Sequence, residues 1–243
     1  MRHARARASV IAGALVIASI IVALLVAPSR TPPLPPRAPG QRPPLLLLTS
    51  LPLLFGDGFS VQQTGSPALR ALQSRYRVVP ISVAAPDELA KGRLLLMAQP
   101  LAQPAEDLVA LDRWVRRGGR LLLMADPMLE WPSSHPLGDP LAPPPMFMDT
   151  GLLGHWGLRL DAPDVRGGRM AKLGGFDVLT VSPGTLAGSC PISNDRLVAH
   201  CRVGAGRATI VADADLLDAP DLGPGARRNL DGLLAELASL ERS

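Results

Sequence analysis

Apolar residues fall along this chain in two rhythms. Residues 45–48, 94–97, 121–125 and 208–212 are short, unbroken apolar runs, the pattern of strands covered on both faces. Between the middle two runs, residues 105–117 follow a helical period. Leu108, Leu111 and Val115 fall on one stripe with Trp114 beside it, while Glu106, Asp107, Asp112, Arg113, Arg116 and Arg117 lie mostly off it. Acidic residues open this segment and arginines close it, in line with the helix dipole, and Gly118 is a natural stop. Residues 94–127 therefore read as strand, helix, strand, a right-handed unit with parallel strands.

The same signals extend the pattern in both directions. Ser66 caps a helix opened by Pro67 that carries Leu69, Leu72 and Tyr76, and residues 77–83 form the next strand. Pro86 starts a brief turn or helix. Residues 226–240 make a last helix with Leu230, Leu233, Leu234, Leu237 and Leu240 on its apolar face. This alternation predicts an α/β fold: a doubly wound, mostly parallel sheet flanked by helices, with sites beyond the carboxyl ends of the strands at 49–57, Gln99 and Asp126. Residues 128–203 break the rhythm with frequent Pro, Gly and Met. They read as a β-rich insertion over the strand ends, with one short helix at 149–156 and strands at 176–182 and 197–203.

The N-terminus changes the picture. Arg2, His3, Arg5 and Arg7 precede an uncharged stretch, 8–28, of about 20 residues, enough to span a hydrocarbon core of roughly 30 Å. Charges before the stretch and none within it predict a signal-anchor helix over 1–28, with the N-terminus cytoplasmic and the bulk periplasmic. A cleaved signal peptide is the alternative, disfavoured by the long apolar run and by Pro28 after Ala27. Residues 29–44 are proline-rich and read as an extended tether, leaving 45–243 as the α/β domain. This predicts a single-pass protein of the cell inner membrane. The net charge of +4 is small and concentrated at the N-terminus, so no nucleic-acid partner is indicated. Cys190 and Cys201 either pair in an oxidising compartment or stay as buried thiols; their spacing is not that of a metal site.

Two stretches carry a family resemblance. One runs from Leu94-Leu-Leu-Met-Ala-Gln-Pro through Leu111, Trp114 and Val115 to Gly118-Gly-Arg-Leu-Leu-Leu-Met-Ala-Asp-Pro. The other is Gly206-Arg-Ala-Thr-Ile-Val-Ala-Asp-Ala-Asp-Leu-Leu with Asn229 and Leu230. Together they resemble the extracytoplasmic domain of gliding-motility-type ABC-transporter auxiliary proteins, relatives of the class I glutamine amidotransferase-like fold. The resemblance implies an accessory domain working beside the permease and ATPase of an ABC system. Amidotransferases of this fold need a nucleophilic cysteine on a glycine-flanked turn, where this chain has Asp126-Pro127, and no His/Glu pair stands near the C-terminus. The resemblance therefore implies a non-catalytic member, without catalytic residues, cofactor or metal.

Candidate ligand-binding residues are Asp57, in a Gly-Asp-Gly turn, and the strand-end aspartates Asp126, Asp213 and Asp215, with Asp218 close behind. The alternative reading is an enzyme, a small hydrolase or transferase that uses these carboxylates. It requires Asp126, Asp213 and Asp215 to meet, with at least one shifted pKa. A third reading, a binder of envelope glycan, requires Trp131 and Trp156 to stand beside the cleft. His135 and His155 lack ligand spacing, and Ser189-Cys190-Pro191 lacks the glycines of a nucleophile elbow.

Overall fold

The computed structural model describes residues 31–54, 65–136, 138–139, 142–219 and 221–243. Residues 33–243 form one compact unit. Its strands are β1 (Pro44–Thr49), β2 (Arg77–Pro80), β3 (Leu94–Ala98), β4 (Arg120–Met124), β5 (Leu158–Asp161), β6 (Gly168–Leu173), β7 (Phe176–Val181), β8 (Thr185–Gly188), β9 (Val198–Val203) and β10 (Gly206–Val211). Its helices are α1 (Pro67–Arg75), α2 (Pro86–Leu89), α3 (Ala105–Arg116), α4 (Leu152–His155) and α5 (Asn229–Arg242).

The main sheet runs β2-β1-β3-β4-β10-β9. Pairing is parallel from β2 to β10, and β9 adds antiparallel at the edge, so the sheet is mixed. The Leu-rich runs explain the interior: Leu45, Leu46, Leu95, Leu96, Leu121, Leu122 and Leu123 are fully buried, each worth about 2–5 kcal/mol against truncation to Ala. Ser66 caps α1 by accepting a hydrogen bond from the Leu69 N–H at 3.0 Å. Helix α3 buries Leu111 and Val115.

The 128–203 region resolves into two small antiparallel pairs, β5–β8 and β6–β7. The strand expectations for this region, 176–182 and 197–203, find β7 and β9 but none of β5, β6 and β8, the last two for evident reasons. β6 is mostly exposed and bears Arg169 and Lys172; β8 is four residues long and ends in Gly188. A disulfide joins Cys190 to Cys201, with Cα atoms 5.0 Å apart, and ties the segment after β8 to β9.

The expected transmembrane helix needs correction. No described helix is long and apolar enough to cross a membrane, and residues 1–28 lie outside the described residues. The description of the fold therefore includes no membrane span. The single-pass inner-membrane placement and the membrane partnership inferred from that span are withdrawn.

The β9–β10 hairpin docks closely on the end of α3. Ala205 N–H donates to Arg116 O at 2.9 Å and Arg207 N–H to Gly119 O at 3.2 Å. A Cβ on Gly206 would fall 1.9 Å from Val115 O and 2.5 Å from Gly119 O, so backbone would have to move. Gly206→Ala is expected to cost about 1–3 kcal/mol. Gly154→Ala, in α4 with open space around it, should be neutral or stabilising by about 0.5–1 kcal/mol. Urea denaturation of both variants checks the pair; equal stabilities would contradict this packing.

Candidate functional site: carboxylates at the strand ends

The register of two strands creates the site. β4 and β10 are adjacent and parallel, and their last paired residues are Met124 and Val211. Asp126 and Asp213 each follow two positions later, so both return to the same face of the sheet. Asp215 opens a 3-10 turn just beyond. Asp126 and Asp213 are fully buried and Asp215 is 3% exposed.

Backbone N–H groups hold these carboxylates. Asp126 Oδ1 accepts from Met128 N–H and its Oδ2 from Ala214 N–H, both at 2.8 Å. Asp213 Oδ1 accepts from Leu216 N–H and Oδ2 from Val181 N–H, again at 2.8 Å. Asp215 Oδ2 accepts from Glu130 N–H at 2.8 Å. Glu130 is exposed at the rim, and its Oε1 accepts from the Ser182 hydroxyl at 2.5 Å. No described Lys, Arg or His forms an ion pair with any of the four acids.

Gln99 fastens the centre. Its Oε1 accepts from Asp126 N–H at 3.0 Å, and its Nε2 donates to Asp126 O at 3.2 Å and Pro144 O at 3.1 Å. Gln99 itself has φ 43°, in the left-handed region that a side chain disfavours. The Ser50 hydroxyl donates to its carbonyl. Ser182 shares the strain at φ 45°. Strained polar residues at strand ends are a mark of functional sites.

Burial without a counter-charge decides the electrostatics. Desolvation, followed by the charge of neighbouring acids, pushes Asp215 up to about 7. Asp126 is raised to about 6, chiefly by desolvation, with the N–H groups of Ala214, Met128 and Asp215 working against it. Asp213 lies well above the usual carboxylate range through burial and the charge of Asp126.

The cluster thus unites Asp126, Asp213 and Asp215. Asp57 lies outside the described residues. Gln99 is one of the strand ends expected to carry a site, a lone polar residue directly after a buried run, whereas Glu130 and Ser182 are functional candidates without a signal in the sequence. Trp156 is 7% exposed and its Nε1 donates to Asp112 on α3 at 2.8 Å, so it offers no stacking platform for a glycan. Among the described residues no three His, Cys, Asp or Glu side chains are placed to hold a metal ion.

No family model and no curated protein matches the sequence. Similar solved structures include the cytoplasmic protein STM3548 from Salmonella typhimurium, at TM-score 0.50 and 12% identity over 81% of this chain and 98% of that one. The exo-beta-1,4-mannosidase Op5Man5 from Opitutaceae bacterium strain TAV5 follows at TM-score 0.47 and 15% identity, covering 82% of this chain and 36% of that one. A beta-galactosidase from Bacillus circulans sp. alkalophilus has TM-score 0.44 and 13% identity, covering 83% and 31%. This chain spans about a third of the length of those two enzymes. At such identities the likeness concerns the fold alone.

These findings correct the family expectation. No family model, that of the ABC-transporter auxiliary proteins included, matches the chain, and none of the three structures bears the name of such a domain. The resemblance to the gliding-motility-type family is withdrawn, along with the permease and ATPase partners and the role of accessory subunit. The non-enzyme conclusion falls for a separate reason. A missing cysteine removes thiolate chemistry only, and carboxylates with raised pKa meeting at strand ends are a candidate site of a different kind.

Stability should record these shifts. An aspartate titrates near 3.9 when unfolded, so a raised native pKa means the folded state holds its proton more tightly. That stabilisation is complete below about pH 4 and is lost as pH rises through 6 and 7, for Asp126 and Asp215 respectively. Urea midpoints are expected to fall between pH 5 and 8. Asp215→Asn keeps a carbonyl for the Glu130 N–H and removes the charge, so it should flatten this fall and stabilise the protein at pH 8. A wild-type midpoint that rises over this range would refute the assignment.

Proposed function

We propose that this domain is an enzyme, a hydrolase or group transferase whose acid–base work is done by the strand-end carboxylates. The observation that carries the reading is the convergence of Asp126, Asp213 and Asp215, buried from two adjacent strand ends with no described cation against them. Burying acids in this way costs folding stability. The cost falls at the end of the sheet where α/β folds place their sites.

The roles follow from exposure and protonation. Asp215, pushed up to about 7, carries a proton near neutral pH and acts as the general acid toward a leaving group. Glu130 is exposed and held by the Ser182 hydroxyl, and it is the carboxylate placed to take a proton from an attacking water or acceptor hydroxyl. Asp126 and Asp213 lie beneath, out of solvent, and the charge of Asp126 helps to hold the proton on Asp215. Gln99 positions Asp126 through its peptide group.

A panel of chromogenic esters, phosphate esters and glycosides, offered to the full chain, tests this. Turnover is expected with an alkaline limb near pH 7 that disappears in Asp215→Asn. Glu130→Gln should lower kcat by about 10²–10⁴-fold. Full activity in both variants, or no turnover across the panel, would overturn the proposal.

A further inference from the structure

A second charged site lies at the opposite ends of β4 and β10, and it does not rest on the enzymatic reading. Arg120 opens β4 in register with Arg207 of β10, and Arg207 faces Arg202 of β9. In-register neighbours project from one face, so these three arginine side chains leave the sheet side by side from strands about 4.8 Å apart. Arg120 is engaged: it donates to Gly118 O at 2.9 Å, to Ala205 O at 3.3 Å and, through Nε, to Ser243 O at 3.0 Å. Burial, and then the charges of Arg207 and Arg93, hold it below its ordinary pKa. Arg202 and Arg207 are exposed, and their guanidinium groups have no hydrogen-bond or ion-pair partner among the described residues. Like charges opposed across a ladder repel.

Two positions along the same face, His200 of β9 stands opposite Thr209 of β10. Both reach one oxygen of Glu236 on α5: His200 Nε2 at 2.9 Å, and the Thr209 hydroxyl donating at 3.1 Å. Glu236 is 5% exposed. Its bonded oxygen is thus engaged by His200 and Thr209, and neither arginine is bonded to it. His200, Arg202, Arg207, Glu236 and Ser239 line a cavity of about 250 Å³ between the sheet edge and the last turns of α5.

We propose that this cavity binds a small tetrahedral oxyanion, either free phosphate or the phosphoryl group of a phosphomonoester, between Arg202 and Arg207 with Ser239 as a hydroxyl donor. A carboxylate has two oxygens and satisfies one guanidinium fork. A phosphoryl group has enough oxygens to serve two forks from adjacent strands at once. The cavity is smaller than pockets for drug-sized ligands, about 300–1,000 Å³, and ample for phosphate with a short substituent.

Isothermal titration calorimetry on the full chain decides the matter, using sodium phosphate and glycerol 3-phosphate at ionic strength fixed with sodium chloride. Saturable binding is expected, weakened at least tenfold in the double variant Arg202→Gln/Arg207→Gln. Both positions are exposed and the substitution removes their mutual repulsion, so the unfolding midpoint without phosphate should not fall, which separates lost binding from lost folding. Arg207→Lys should bind several-fold more weakly, because an ammonium cannot replace the fork. Tighter binding of inorganic phosphate marks the free anion as the ligand, and tighter binding of glycerol 3-phosphate marks a phosphomonoester. Absence of saturable heat with either probe, or undiminished binding by the double variant, overturns the proposal.

Discussion

One register holds the candidate site together. Asp126 and Asp213 converge because β4 and β10 pair in parallel with Met124 opposite Val211. A slip of one residue would send one of the two side chains to the other face. The pairing is locked from several directions. Ala125 N–H donates to Val211 O at 2.8 Å beyond the last paired residues, and Ala214 N–H reaches across to Asp126 Oδ2. From the other side, Gln99 grips the Asp126 peptide with both ends of its amide. The ends of β3, β4 and β10 therefore form one hydrogen-bonded unit, and the strain at Gln99 is sustained by the bonds its side chain makes.

That register was only half legible in the sequence. Each local element announced itself: the unbroken Leu runs, the Ser66 cap, the stripe on α3 and the acidic ends after residues 125 and 212. The neighbour of β4 did not. β10 follows β4 by about eighty residues, and apolar periodicity carries no information on which buried strand takes the place beside another. The same limit hid Glu130 and Ser182, whose contact spans 52 residues and depends on the β6–β7 hairpin reaching the strand ends. β6 escaped notice because its exposed face bears Arg169 and Lys172, which leaves too few apolar positions to mark a strand. The family resemblance steered attention to the turn at Asp126-Pro127 as the place of a missing nucleophile, although Asp126 is itself part of the acidic cluster.

The two ends of the sheet meet the cost of charge differently. At the arginine end, the crossover helices run back against the strands, so their carbonyl-rich C-termini face the strand starts. Arg120 uses this directly by donating to the backbone carbonyl of Ser243 at the end of α5. The negative end of a helix dipole favours a cation there. Arg207 and Arg202 stand one and two strands further toward the edge, and no helix carbonyl is bonded to either.

At the acidic end, compensation comes from single backbone N–H groups in turns, two each for Asp126 and Asp213 in direct hydrogen bonds. Such bonds favour the ionised form, yet all three aspartates remain raised because desolvation and mutual repulsion outweigh them. A carboxylate whose only role was to cap a turn would be as well served facing solvent, where neither penalty arises. Asp195 shows this alternative within the same chain. It accepts from the Lys172 and Leu197 N–H groups and the Ser193 hydroxyl, and these bonds leave its pKa below the ordinary value in spite of partial burial. The contrast between Asp195 and the strand-end trio lies in burial without a counter-charge, and this separates a turn cap from a group poised to hold a proton near neutral pH.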